Sequence, residues 1–362
     1  MDGEQSFLTL HEIVRAAYER TDRGIWDYIT GGTETETTVR RNRLALDRLA
    51  FRPRVLRDVS RIDCSGRFFG QETRLPVSLA PVGGLESIGP TGEILVARAA
   101  SSFGVPFYLS SVTQVGMEEV AAAAPGGPKV FQLYVRGDAG FIDDHIGRAV
   151  DSGYDAFCLT VDTAIYSRRE RDIARRFVKP WRDRAGGQEY QAALNWSDVE
   201  RIKAKHDIPL ILKGIATAED AALACEHGVA GVYVSNHGGR QLDHGRGALD
   251  VLPEIVEAVA GRAAITVDGG VCRGTDVVKA VALGANTVGI GRLYCYGLAA
   301  AGQEGVRRVL DLLETEIVSC LGLLGVAGFA ELEASHLGEA MPVSDPHVLS
   351  AFPLMTLPKE QY

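Results

Sequence analysis

The sequence predicts a (β/α)8 barrel with an N-terminal helical cap and a loop insertion after the fourth strand. Two observations carry this. Eight short apolar, β-branched runs recur along the chain. Alanine-rich stretches with helical spacing lie between them, several closing on a glycine where a helix C-cap falls. Continuous apolar strands alternating with helices make a parallel sheet covered on both faces, and eight such units in one series close into a barrel. An open, doubly wound sheet is the competing arrangement.

Residues 1 to about 70 read as helices and a capping segment. The strands follow as LPVSLAPV (75–82), VPFYLSSV (105–112), KVFQLYV (129–135), AFCLTVD (156–162), PLILKGI (209–215), GVYVSNH (231–237), AITVDGG (264–270) and TVGIGR (287–292). Stretches such as TGEILVARAASSFG, TAEDAALACEHG and DVVKAVALGA supply helices. The longest gap follows the fourth strand, and its polar stretch RRFVKPWRDRAGGQEYQAALNW (175–196) suits a lid over the barrel mouth. Residues 303–337 read as helices and 338–362 as an irregular tail. No linker interrupts the series, so residues 1–362 read as one domain.

The chain is 46% hydrophobic over 362 residues, with a net charge of −9 and a pI near 5.5. That charge is wrong for a nucleic-acid or anionic-membrane surface, and a small-molecule partner is expected. The six cysteines form no C-x-x-C pair, so they read as reduced thiols and not as disulfides or a metal site. The N-terminal MDGEQSFLTLHEI lacks a basic signal-peptide start and no apolar run is long enough to span a bilayer. A cytoplasmic protein is expected.

Polar residues gather at strand C-termini: Ser110 and Ser111, Gln132 and Tyr134, Thr160 and Asp162, Lys213, Ser235 and His237, and Asp268. A spacing of two puts both members of a pair on one strand face, and this end of a barrel is where active sites form. One serine or threonine at a strand end often bonds only to a loop. Six strand ends together indicate a site. DGGVCRG and GIGRL, after the last two strands, offer backbone N–H groups and arginines where barrels commonly hold a phosphate.

The stretch SNHGGRQLD (235–243) sets His237 at the mouth, with glycines after it that leave it no core to pack into. Arg240 lies close by on the same loop. The pair suits proton abstraction from a substrate whose anionic group the arginine binds. TVDTAIYSRRERD adds Asp162, able to orient the imidazole, and Arg168 and Arg169, either of which could complete a two-arginine carboxylate clamp.

SNHGGRQLD, together with WDYITGGTETETTVRRN near the N-terminus, resembles the FMN-dependent 2-hydroxy acid oxidase and dehydrogenase family, which includes glycolate oxidase, lactate oxidase and mandelate dehydrogenase. The likeness covers nearly the whole chain. It implies His237 as base with Asp162 as its partner, Arg169 and Arg240 as the carboxylate clamp, and Tyr28 and Tyr134 bonding the substrate. It sets Lys213 beside the flavin N1 and C2 carbonyl, where a cation suits developing negative charge. Val82, Gly83, Ser110, Gln132, Thr160 and Ser235 would border the flavin ring. Asp268 would meet the ribityl chain, and Gly270, Arg273, Gly291 and Arg292 the phosphate.

Four departures from the family pattern stand out. Cys272 replaces a phosphate-binding arginine, Val112 replaces an aromatic residue in the substrate pocket, Gly83 stands where many oxidases have alanine, and the segment after strand four is short. Val112 predicts a bulky, mandelate-like substrate in place of glycolate. Gly83 leans towards a dehydrogenase passing electrons to a quinone or protein carrier, with oxygen as the alternative acceptor. Relatives are commonly tetramers or octamers, so a homo-oligomer is expected. The competing classes are a phosphate-substrate lyase using Lys213 as a Schiff-base amine, and a non-catalytic flavin or phosphate binder.

Overall fold

The computed structural model describes residues 7–177, 186–355 and 357. All eight runs form strands: β1 (Val77–Leu79), β2 (Phe107–Ser110), β3 (Lys129–Leu133), β4 (Ala156–Thr160), β5 (Leu210–Ile215), β6 (Gly231–Val234), β7 (Ala264–Val267) and β8 (Thr287–Ile290). Each pairs in parallel with the next, and β8 pairs with β1, so the sheet closes and the open-sheet arrangement is excluded.

Alternation along the strands sorts the barrel interior into layers. Tyr108, Val130, Cys158, Ile211 and Tyr233 form an apolar lower layer. One step further along the same faces come Ser110, Gln132, Thr160, Lys213 and Ser235, all buried. An antiparallel hairpin, Gly66–Phe68 with Gln71–Thr73, plugs the N-terminal end, Phe68 meeting Tyr108 edge-on at 6.1 Å. Gly289 is dictated by this packing, because a Cβ there would lie 2.3 Å from the Tyr233 hydroxyl.

Before the barrel come helices Leu10–Arg20, Arg23–Thr30 and Thr37–Asp47. Thr9 and Glu12 form a capping box on the first, whose buried face packs on the long helix Arg292–Leu324. That helix bends at Ala301 and Gly302 and stops at Gly325, which takes a left-handed φ of 77°. The helical reading through 337 therefore runs too far. Beyond Gly325 lie two short 3-10 turns and a strand, Leu337–Glu339, paired antiparallel with Leu49–Phe51. The tail is not wholly irregular either, since Phe352 is anchored in the core. Among the described residues, no helix is long and apolar enough to cross a membrane.

Candidate active site

Ser235, at the end of β6, organises the mouth. Its Oγ accepts from the backbone N–H of His237 (3.0 Å) and from Lys213 Nζ (3.2 Å), and donates to Asp268 Oδ1 (2.6 Å). These contacts use its full hydrogen-bonding capacity. The chain then turns through three left-handed residues, His237 (φ 60°), Gly238 (63°) and Gly239 (75°). A Cβ on Gly238 would meet Arg292 Nη1 at 2.9 Å, and one on Gly239 would meet the Val39 backbone nitrogen at 2.6 Å.

The loop is tied to the N-terminal segment. The amides of Asn42 and Asn236 bond reciprocally at 2.9 and 2.7 Å. Asp243 accepts from the backbone N–H groups of Thr38 (2.8 Å) and Thr35 (3.0 Å). The two stretches that carried the family resemblance are thus one structural unit.

His237 sits between two partners. Its Nδ1 lies 3.0 Å from Asp162 Oδ1, and its Nε2 lies 3.1 Å from the Tyr134 hydroxyl. Gly214 permits the approach of Asp162, since a Cβ there would lie 2.6 Å from the aspartate Cβ. Burial lowers the pKa of the imidazole, Asp162 opposes that, and Lys213 and Arg169 add to the lowering. For Asp162 burial acts against ionisation, but His237 and Lys213 outweigh it and hold the carboxyl below its ordinary range. A neutral imidazole with Nδ1–H on an ionised aspartate follows, and its Nε2 lone pair accepts from the Tyr134 hydroxyl, both residues lining the cavity. Burial, then Asp162, raises the pKa of the Tyr134 phenol and keeps it protonated.

The cavity has a volume of about 480 Å³, and its lining includes Tyr28, Val112, Tyr134, Arg169, His237 and Arg240. The structure distinguishes the two candidate arginines: Arg168 pairs with Glu170 at 2.6 Å on the surface, whereas Arg169 lines the cavity, its buried Nε having no hydrogen-bond partner among the described residues. Arg240 Nη1 donates to the carbonyls of Tyr28 (2.7 Å) and Gly31 (2.9 Å), and its guanidinium lies 4.9 Å over the Tyr28 ring. Burial, then the charge of Arg169, lowers its pKa to about 10. An anionic ligand between the two cations would relieve that repulsion. The Tyr28 hydroxyl donates to the Gly83 carbonyl at 2.7 Å, and burial raises its pKa to about 12.

The same cavity fits a flavin. Gln132 and Thr160 are fully buried, yet both amide atoms of Gln132 and the Thr160 hydroxyl lack partners among the described residues. Buried polar groups left this way are costly, so their presence points to a polar ligand edge. Val82, Gly83, Asp268, Gly270, Gly291 and Arg292 line the cavity, and Ser110, Gln132, Thr160 and Ser235 are buried behind that lining. Lys213 Nζ lies 3.9 Å from Asp268 Oδ2.

Arg273, expected at the phosphate, is engaged elsewhere. Its guanidinium pairs with Glu316 at 2.6 Å, outside the cavity lining, because Glu316 also takes the Gly274 N–H. Cys272 does line the cavity, and burial pushes its thiol up to about 12. Asn42 and Arg43, the latter bound to Asp276 at 2.7 and 2.8 Å, are among the lining residues that sequence reasoning missed. Their signal was spacing: Val39, Asn42 and Arg43 share one face of a helix. Part of the expected lid, residues 178–185, lies outside the described residues. The part after it is pinned down, with Gln191 accepting from the Val135 N–H (2.7 Å) and donating to the Thr160 carbonyl (2.9 Å).

This barrel and site define a flavin-dependent oxidoreductase. Residues 17–339 match the model of the FMN-dependent dehydrogenase family, and the chain belongs to that family, with FMN as its cofactor. It is 38% identical to glycolate oxidase 3 of Arabidopsis thaliana over 362 residues, covering 94% of this chain and 98% of that protein. A crystal structure of a mandelate oxidase variant with 2-hydroxy-phenylacetamide superposes with a TM-score of 0.86 at 39% identity, covering 93% of this chain and 100% of the other. Another mandelate oxidase variant, carrying an FMN adduct, has a TM-score of 0.84 at 40% identity and covers 92% and 100%.

Proposed function

We propose that the enzyme oxidises an (S)-2-hydroxy acid with a bulky, mandelate-like side chain to the 2-oxo acid. The observation that carries this reading is the convergence of the His237 Nε2 lone pair, the Tyr134 hydroxyl and the Arg169 and Arg240 guanidiniums on one cavity. The arginines bind and orient the carboxylate. His237 takes a proton from the substrate, and Asp162 stabilises the imidazolium that results. Tyr134 and Tyr28 fix the substrate oxygens. FMN, when bound, supplies a two-electron acceptor for the carbon being oxidised. Gln132, Thr160, Ser110, Ser235 and Lys213 would hold its ring, and Asp268, Gly270, Gly291 and Arg292 its ribityl phosphate. The ion pair of Lys213 with Asp268 speaks against the Schiff-base reading.

Val112 supports a bulky substrate, as do the mandelate oxidase neighbours; the glycolate oxidase relatives favour a small one. For the acceptor, the oxidase names among the relatives weigh against the dehydrogenase expected from Gly83, and oxygen is the reading we adopt. Anaerobic flavin reduction by a panel of 2-hydroxy acids, followed by readmission of oxygen, tests both points. Fastest reduction by glycolate would refute the substrate assignment. Slow reoxidation without peroxide would refute oxygen.

A further inference from the structure

Gly270, Cys272 and Arg292 line the cavity together with two residues from the C-terminal tail, His347 and Val348, and His347 lies near enough to feel the charge of Arg40, on the helix whose Arg43 donates to the Gly270 carbonyl at 3.2 Å. We infer that His347 binds the cofactor phosphate, supplied by the tail where position 272 lacks an arginine. This rests on the reading that places the phosphate at Gly270 and Arg292.

The tail is held at both ends. Ala340 donates its N–H to the Arg48 carbonyl at 2.8 Å, and Phe352 is buried between His11 and Tyr296, at ring distances of 5.7 and 6.4 Å. Between these anchors a tight turn sets the imidazole. Ser350 donates its N–H and its hydroxyl to the His347 carbonyl at 3.0 and 2.9 Å, and the Leu349 N–H donates to His347 Nδ1 at 3.2 Å. With Nδ1 accepting, the ring proton sits on Nε2, which is a donor whether the ring is neutral or charged. Nε2 has no partner among the described residues.

Several of the donors around these residues are engaged within the protein. Arg43 is held by Asp276 and Asp47, Arg273 by Glu316, and Lys279 by the Leu46 carbonyl. Arg292 gives one N–H from each of Nε, Nη1 and Nη2 to the carbonyls of Ile29, Gly238 and Gly31 and keeps two for a ligand. The amides that open the helix Gly274–Ala282 are taken as well: those of Cys272 and Arg273 by Asp276, and that of Gly274 by Glu316. A phosphate there needs several charge-assisted donors, and the His347 Nε2–H is one that the protein leaves unspent.

The test is titration of the full-length protein, stripped of flavin, with FMN and with riboflavin, read by quenching of flavin fluorescence. His347→Ala is expected to weaken FMN about 3- to 10-fold, the range of one charge-assisted hydrogen bond at an exposed position, and to leave riboflavin unchanged. His347→Gln keeps a donor and should stay within about twofold of the parent, whereas His347→Asp should weaken FMN further by repelling the phosphate. An FMN affinity unchanged in His347→Ala, or an equal loss for riboflavin, would overturn the inference. A parent that does not distinguish FMN from riboflavin would overturn the phosphate placement itself.

Discussion

Gly83 and Val112 fit against each other with no room for a side chain on the glycine: a Cβ built on Gly83 would lie 2.8 Å from the Val112 Cβ and 3.0 Å from its Cγ1. The Gly84 N–H donates to the Val112 carbonyl at 2.9 Å, and the Tyr28 hydroxyl to the Gly83 carbonyl, so neither loop can easily give way. Gly83→Ala should therefore destabilise the holoenzyme by about 1–3 kcal/mol, the usual cost of overpacking. Val112→Gly in the same chain removes the opposing Cβ and should restore most of it. Thermal unfolding of the two single variants and the double variant measures the coupling; strictly additive effects would show that the contact does not matter.

Val112 also borders the substrate side of the cavity. Val112→Phe should penalise an aromatic hydroxy acid relative to lactate by about 10-fold or more, since a misfit of a few carbons is worth about 1–3 kcal/mol. Comparing kcat/KM for the two substrates reads this directly. An unchanged ratio would remove Val112 as a determinant of size.

His237 must be neutral to accept a proton, and its pKa is lowered from 6.5. The rate of flavin reduction should hence be level above neutrality and fall only as the pH drops below 6.5. His237→Ala should cost at least about 10²-fold in that rate with FMN still bound. Asp162 raises the histidine pKa, so Asp162→Asn should shift the acid limb to lower pH besides slowing reduction. An acid limb that stays in place would leave Asp162 without a positioning role.

The two arginines should fail differently from a simple loss of charge. Lysine at 169 or 240 preserves the cation but not the planar fork, so each Arg→Lys change should raise KM and lower kcat/KM for the hydroxy acid by about 10-fold or more. The amide of the same substrate should be a poor substrate for the parent. Equal turnover of acid and amide would rule out carboxylate recognition at this site.

Much of the site was readable because its information is local. Strand period 2 set Gln132 with Tyr134, Thr160 with Asp162 and Ser235 with His237 on shared faces, whatever lay across the barrel. The chain order of eight strand and helix units likewise led to closure, since parallel strands buried on both faces must be continuously apolar.

Other features depended on contacts between residues far apart in the chain. Spacing alone does not separate Arg168 from Arg169, which only the family resemblance singled out, and a nearby Glu170 draws one outward while the cavity takes the other. Arg273 follows the glycine turn as a phosphate ligand would, yet Glu316, 43 residues on, claims its guanidinium. Arg43 and His347 reach the cavity only because the N-terminal helix and the tail fold over it. The sequence by itself determined the barrel and the strand ends that carry His237 and Asp162, because apolar periodicity and strand alternation act within a few residues. The tertiary structure alone decided that Arg273 pairs with Glu316 and that Arg43 and His347 reach the cavity, because each of these contacts joins residues far apart in the chain.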